Sequence, residues 1–187
     1  MFNKPPFLNI EIIKSYPREA VKFAESYFKG RKIIACEIGV WYGRNSKVMN
    51  KHLNIGRFYL IDNYVDEESK TGESYGGTIE VEKAKSYAHK SNKKGNEIWI
   101  RKASEDAVED VDMLDFLYID GNHKYEYIKK DLELYYPKIV EGGIISGHDI
   151  QAEGVSKALL EFAYKNKLQI HFGDRRDWWI IKDKQNG

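Results

Sequence analysis

One cysteine stands in 187 residues, so this chain cannot close an internal disulfide. That residue, Cys36, lies inside the apolar run IIACEIG and reads as a small buried hydrophobe rather than a nucleophile. No apolar run approaches the ~20 residues needed to cross a bilayer, and the opening MFNKPPFLNI carries two prolines where a signal peptide needs a continuous apolar segment. The expectation is a cytoplasmic protein with no membrane partner. An excess of one charge is also lacking: 30 Lys and Arg stand against 29 Asp and Glu, for a formal net charge of +1. The basic footprint of phosphate-driven nucleic-acid binding is therefore missing. There is no internal repeat, low-complexity tract or Pro/Gly-rich linker.

What is present suffices for one packed domain over residues 1–187, since 42% of the chain is apolar and 13 Tyr, 8 Phe and 4 Trp supply bulk. The N-terminal flank, residues 1–30, carries a helix: Ala20, Phe23, Ala24, Tyr27 and Phe28 share one 3.6-period face, and Gly30 closes it. Ile33 to Ile38 is a short, nearly continuous apolar run ending in a glycine cluster, the mark of a strand buried on both faces. Strands then follow around 58–61, 97–100, 116–119 and 144–146, with helices around 78–88, from Tyr125 to Tyr135, and through Val155, Leu159, Phe162 and Ala163. Alternation of this kind predicts an α/β, Rossmann-like seven-stranded, mostly parallel sheet with helices on both faces. Leu168, Ile170 and Phe172 alternate before the turn-length segment 173–177, which predicts an antiparallel hairpin at the C-terminus. Residues 63–77, NYVDEESKTGESYGG, are polar and aperiodic and read as a long loop.

Ligands of open parallel sheets bind beyond the carboxyl ends of the strands, so the residues closing each strand matter most. Four such ends stand out: EIGVWYG at 37–43, Asp62 with Asn63, DGNH at 120–123, and GHD at 147–149. The glycine turn is not G-x-G-x-x-G, and a carboxylate at Glu37 suits a cationic ligand better than a pyrophosphate. About 20 residues beyond the turn, Asp62 closes the second strand, where a carboxylate accepts hydrogen bonds from both hydroxyls of a ribose. These features point to a nucleoside ligand.

Together they resemble class I S-adenosylmethionine-dependent methyltransferases, over the span from about Ile33 to Lys182. Within that group the sequence is most similar to small-molecule and sugar O-methyltransferases with a D-G-x-H-x-Y-E motif, reading here DFLYIDGNHKYEYIKKDLELYYPKIVEGGIISGHD. The resemblance implies that Glu37, Gly39 and Gly43 hold the methionine part of S-adenosylmethionine, Asp62 its ribose, and Ala103 and Ser104 its adenine, with Asp120 also at the cofactor. It implies that His123 is the general base removing the proton of the acceptor hydroxyl, an imidazole being suited to that at neutral pH. It implies too that Asp120, His148 and Asp149 hold a divalent metal, Mg²⁺ in relatives. A histidine where those relatives have aspartate is a departure, which leaves two possibilities: a softer ion such as Mn²⁺ or Fe²⁺, or no metal. Asn122 is a second departure, standing where some sugar O-methyltransferases place an acidic base. The 63–77 loop becomes an acceptor lid, with Tyr64 and Tyr75 as stacking surfaces.

Competing readings are an RNA methyltransferase gripping phosphates with the basic stretch Lys83 to Lys102, and a non-catalytic nucleoside-binding module. Balanced charge and sparse aromatic interleaving favour a solvated helix face for that stretch. His148 reads equally as a satisfied turn histidine. Of Trp178 and Trp179, one is expected to pack inward and the other to line the acceptor pocket or a contact in a homo-oligomer.

Overall fold

Ile33–Ile38 forms strand β1, a nearly continuous apolar run interrupted by Glu37, and the other elements are arranged around it. We analysed a computed structural model, which describes residues 17–64, 77–174 and 176–183. The remaining strands are β2 (Ile55–Ile61), β3 (Glu97–Ile100), β4 (Leu114–Ile119), β5 (Ile139–Gly147), β6 (His171–Phe172) and β7 (Trp178–Ile181). They make one seven-stranded sheet in the order β3-β2-β1-β4-β5-β7-β6. Neighbours from β3 to β5 run parallel, while β7 pairs antiparallel with both β5 and β6.

The helices are α1 (Glu19–Phe28), α2 (Arg44–His52), α3 (Gly77–Ser91), α4 (Ser104–Ala107), α5 (Tyr125–Tyr135) and α6 (Glu153–Asn166). On one face of the sheet, Ile128, Leu132 and Tyr135 of α5 pack with Val155 and Leu159 of α6. On the other, Ala20, Ala24 and Phe28 of α1 meet Met49 of α2 and Ala88 of α3. Helical spacing puts these side chains on one stripe, and burying that stripe is what stabilises each helix. Among the described residues no helix is long and apolar enough to cross a membrane.

The expected elements are present with shifted ends. Strand β5 starts at Ile139 rather than Ile144, because Gly142, with φ of 73°, carries an irregularity inside the strand, and its N–H donates to the Lys182 carbonyl. Of the alternation 168–172, only His171 and Phe172 pair as strand. Both tryptophans pack inward: Trp178 is fully buried, Trp179 stacks on Phe23 of α1, and neither lines the cavity described below. Cys36 is buried in β1, and burial pushes its thiol up, as a packing residue requires. Residues 1–16 of the flank, and 65–76 of the expected lid including Tyr75, lie outside the described residues.

Candidate active site

Strand order reverses between β1 and β4, and a crevice opens at such a point because the connections on either side leave in opposite directions. Here the crevice is deepened by backbone contact. Gly39 follows β1 with φ of 84°, and a Cβ on it would strike the Asp120 carbonyl at the end of β4. Only glycine lets the two strand ends close this tightly. The cavity beyond is lined by Gly39, Trp41, Asp62, Ala103, Ser104 and Asp120, together with Tyr64, Tyr127 and Asp131.

Asp62 organises its rim. One carboxylate oxygen accepts from the amides of Val40 and Trp41 in the glycine turn, at 2.9 and 2.7 Å, and the other accepts from the Tyr64 amide at 2.8 Å. The Tyr64 hydroxyl returns the link by donating to the Trp41 carbonyl at 3.0 Å. Asp62 thus joins the turn after β1 to the chain after β2.

Two residues expected at the cofactor sit elsewhere. Glu37 is 1% exposed, beneath the turn, accepting from the Asn45 amide at 2.8 Å and from the Ser46 hydroxyl. Burial lifts its carboxyl to about 7 against those two donors. Gly43 precedes α2 with φ of 64°, and a Cβ there would strike the Asn92 amide and Ala88 beside α3, so packing demands this glycine. Neither lines the cavity.

At Asp120, four side chains from two strand ends, those of β4 and β5, converge. Asp120, His123 and Asp149 offer ligand atoms that all lie within 4.8 Å of one another. His123 Nε2 is 3.1 Å from Asp149 Oδ2. His148 Nδ1 is 3.0 Å from the same oxygen and 3.8 Å from Asp120 Oδ1, yet this buried nitrogen makes no aligned hydrogen bond. Burial raises the Asp149 carboxyl, but the Gln151 amide and the two imidazoles outweigh it and hold it below the ordinary aspartate value. An unsatisfied buried imidazole nitrogen aimed at two carboxylates fits a divalent cation, and a mixed nitrogen and oxygen set suits Mn²⁺ or Fe²⁺ better than Mg²⁺. Asn122 is used locally, accepting from the Lys124 amide at 2.9 Å.

Arg18, just before α1, carries no local sequence signal and comes from 102 positions away to donate to Asp120 Oδ2 at 2.7 Å. It also donates to the Tyr118 hydroxyl, which donates to Asp177. Burial works against the guanidinium charge, but Asp120 and Tyr118 outweigh it and keep it charged. Asp131 had a legible signal: it falls among Ile128, Leu132 and Tyr135, a carboxylate in the buried stripe of α5. Burial pushes its carboxyl up to about 7.

Six described non-glycine residues have positive φ. Lys29 and Lys167 are helix C-caps, where this is ordinary. Trp41, Tyr64, Asp149 and Arg176 all surround the site, and local strain of this kind persists where surrounding structure enforces a functional geometry.

A profile of the family described as "Methyltransferase domain" matches residues 36–150, from within β1 to just past Asp149. The chain belongs to this methyltransferase family. The class I S-adenosylmethionine-dependent recognition made on the glycine turn and the DGNH stretch thus holds, and the protein is an enzyme. Solved structures agree on the fold of this methyltransferase. The O-methyltransferase NovP superposes with a TM-score of 0.66 at 16% identity, covering 89% of this chain and 79% of NovP. A putative caffeoyl-CoA O-methyltransferase from Staphylococcus aureus gives 0.60 at 13%, covering 89% and 84%. MycE from mycinamycin biosynthesis, solved with Mg, S-adenosylhomocysteine (SAH) and mycinamycin VI, gives 0.59 at 13% and covers 89% of this chain, which spans half of MycE. No curated protein sequence matches the methyltransferase.

Proposed function

We propose that this methyltransferase moves the methyl group of S-adenosylmethionine to a hydroxyl of a small molecule or sugar, with His123 as general base. The observation that carries this reading is the continuity of the cavity. It runs from Asp62 and Ser104 past Gly39 to Asp120, and the His123–Asp149 pair stands immediately beyond.

S-adenosylmethionine supplies an electrophilic methyl on a sulfonium sulfur. Asp62, whose carboxylate holds the turn through backbone amides, also accepts from the ribose hydroxyls, while Ala103 and Ser104 flank the adenine. Glu37 and Gly43 act from beneath, holding the turn and α2 in place. Asp149 fixes the His123 ring through Nε2, so that Nδ1 takes the acceptor proton as the oxygen–carbon bond forms and the carbon–sulfur bond breaks. The products are a methyl ether, SAH and a proton on His123. Holding oxygen, carbon and sulfur in line supplies much of the acceleration. A divalent cation held by Asp120, His148 and Asp149 would acidify the acceptor hydroxyl.

Relatives in fold point the same way, since NovP and the caffeoyl-CoA enzyme are named as O-methyltransferases. The basic stretch favours a small acceptor over RNA: Lys102 pairs with Asp110 at 2.5 Å, Arg101 lies 4.0 Å from Glu82, and Lys94 donates to the Asn50 carbonyl. The test is methyl transfer from labelled S-adenosylmethionine to panels of phenols, catechols and sugars. Labelled methyl ethers are the expected product. No affinity for S-adenosylmethionine, or transfer to carbon or nitrogen centres alone, would overturn the proposal.

A further inference from the structure

The chain from Asp120 to Tyr125 carries His123 and is pressed from two sides. At one end, a Cβ on Gly39 would lie 2.2 Å from the Asp120 carbonyl oxygen and 2.6 Å from the Gly121 Cα. At the other, a Cβ on Gly154, in the first turn of α6, would stand 2.3 Å from the His123 carbonyl oxygen and 2.7 Å from the Tyr125 nitrogen. Ordinary contact begins at 3.4 Å, so an added methyl falls about 1 Å short of fitting, and it meets backbone rather than a side chain that can swing away. The start of α6 also holds the partner of His123: the amide of Ala152, its N-cap, donates to the Asp149 carbonyl at 2.8 Å. Further along, the Tyr125 hydroxyl donates to Glu161 at 2.6 Å and fastens the beginning of α5 to α6. Neither Ala152 nor Gly154 lines the cavity.

We propose that Gly154 is a positioning residue for methyl transfer: by admitting α6 against the His123 carbonyl while Ala152 holds Asp149, it lets the first turn of α6 set the separation of the His123–Asp149 pair. The inference rests on the reading of His123 as general base and deepens it by naming what places that base. Glycine weakens a helix relative to alanine, so its presence in α6 needs a reason, and the close approach to the 123–125 backbone supplies one. The pair stands at 3.1 Å, near the long end of hydrogen-bond reach, so a shift of about 1 Å at the loop parts it. The loop has no slack to absorb that shift, because Gly39 already bears on its other end. Misplacing a reacting group by about 1 Å costs on the order of 10²-fold in rate, even when the substituted residue lies away from the chemistry. A glycine serving only to pack α6 would act alike whether or not His123 is present.

The experiment is a double-mutant cycle read beside a crystal structure of the variant. Gly154→Ala is expected to part His123 Nε2 from Asp149 Oδ2 beyond hydrogen-bond reach. It should keep SAH affinity by calorimetry within about twofold and lower kcat roughly 10- to 100-fold, on the acceptor of the phenol, catechol and sugar panel that takes labelled methyl. Added to His123→Ala, the same change should cost less than about twofold, because the group it positions is gone. Ala152→Pro removes the amide that holds Asp149, at a φ of −73° that proline accepts, and should show the same dependence on His123. That variant keeps the test available if Gly154→Ala fails to fold. An unchanged separation, an equal proportional loss with and without His123, or a loss of SAH affinity in step with kcat would overturn the role of Gly154 alone. Full turnover in His123→Ala, or no labelled product from any acceptor, would overturn the reading of His123 as base, and the inference with it.

Discussion

His123 Nε2 approaches Asp149 Oδ2 to 3.1 Å, joining the end of β4 to the end of β5 across the mouth of the cavity. A carboxylate on one ring nitrogen fixes which of the two nitrogens faces the acceptor and stabilises the imidazolium formed when a proton is taken. His123→Ala should therefore keep SAH affinity within about twofold while kcat falls by roughly 10²–10⁴. Asp149→Asn should lower kcat less than the loss of the base itself. Calorimetry beside initial rates checks both, and unchanged turnover in His123→Ala rules out the base assignment.

Asp62 has a different signature, because it acts on binding. In the proposed role, removing its carboxylate takes away the ribose contacts together with the acceptor of three backbone amides. Charged hydrogen bonds contribute about 1.5–3 kcal/mol each, so Asp62→Ala should weaken S-adenosylmethionine binding at least tenfold. Affinity equal to wild type would remove the ribose from this position.

The four-residue cluster makes a prediction about metal. Mn²⁺ added to chelator-treated protein should bind stoichiometrically, seen by the loss of the free-ion paramagnetic signal, and His148→Ala should weaken it by 10-fold or more. Turnover that survives exhaustive chelation would leave Asp120, His148 and Asp149 with a purely protonic role.

Glu37 predicts a pH dependence of stability. Its folded carboxyl titrates near 7 against an ordinary value of 4.5, so the folded state holds the proton more tightly. That stability is complete below pH 4.5 and is lost as the pH rises through 7. Between pH 5.5 and 8 the share of Glu37 is about 2 kcal/mol, or roughly 5 °C of Tm for a domain of this size. Thermal melts of Glu37→Gln, which cannot titrate, should show a correspondingly flatter pH profile.

Local pattern carried most of the fold, because a strand buried on both faces leaves a nearly unbroken apolar run, and a helix packed on one side leaves a 3.6-residue stripe. Ile33–Ile38 and Tyr125–Tyr135 were legible to the residue for that reason. The irregularity at Gly142 was not, since a glycine after a helix and a glycine inside a bent strand look alike until the partner strand is known. In the site, the strand-end acids and DGNH were visible as clusters. Arg18 was invisible because its meaning lies wholly in a partner 102 positions away. Glu37 was read as facing the ligand, and sequence spacing gives no hint that Ser46 and Asn45 fold back over it.

Asp177 takes the Ala20 amide at the first turn of α1 with one oxygen and the Tyr118 hydroxyl with the other. The opening helix and the closing hairpin are thereby stitched together directly beneath Asp120. Cutting into α1 or into the β6–β7 hairpin would loosen Arg18 and with it Asp120 at the cavity. Activity should consequently fade in such truncations well before the sheet itself melts.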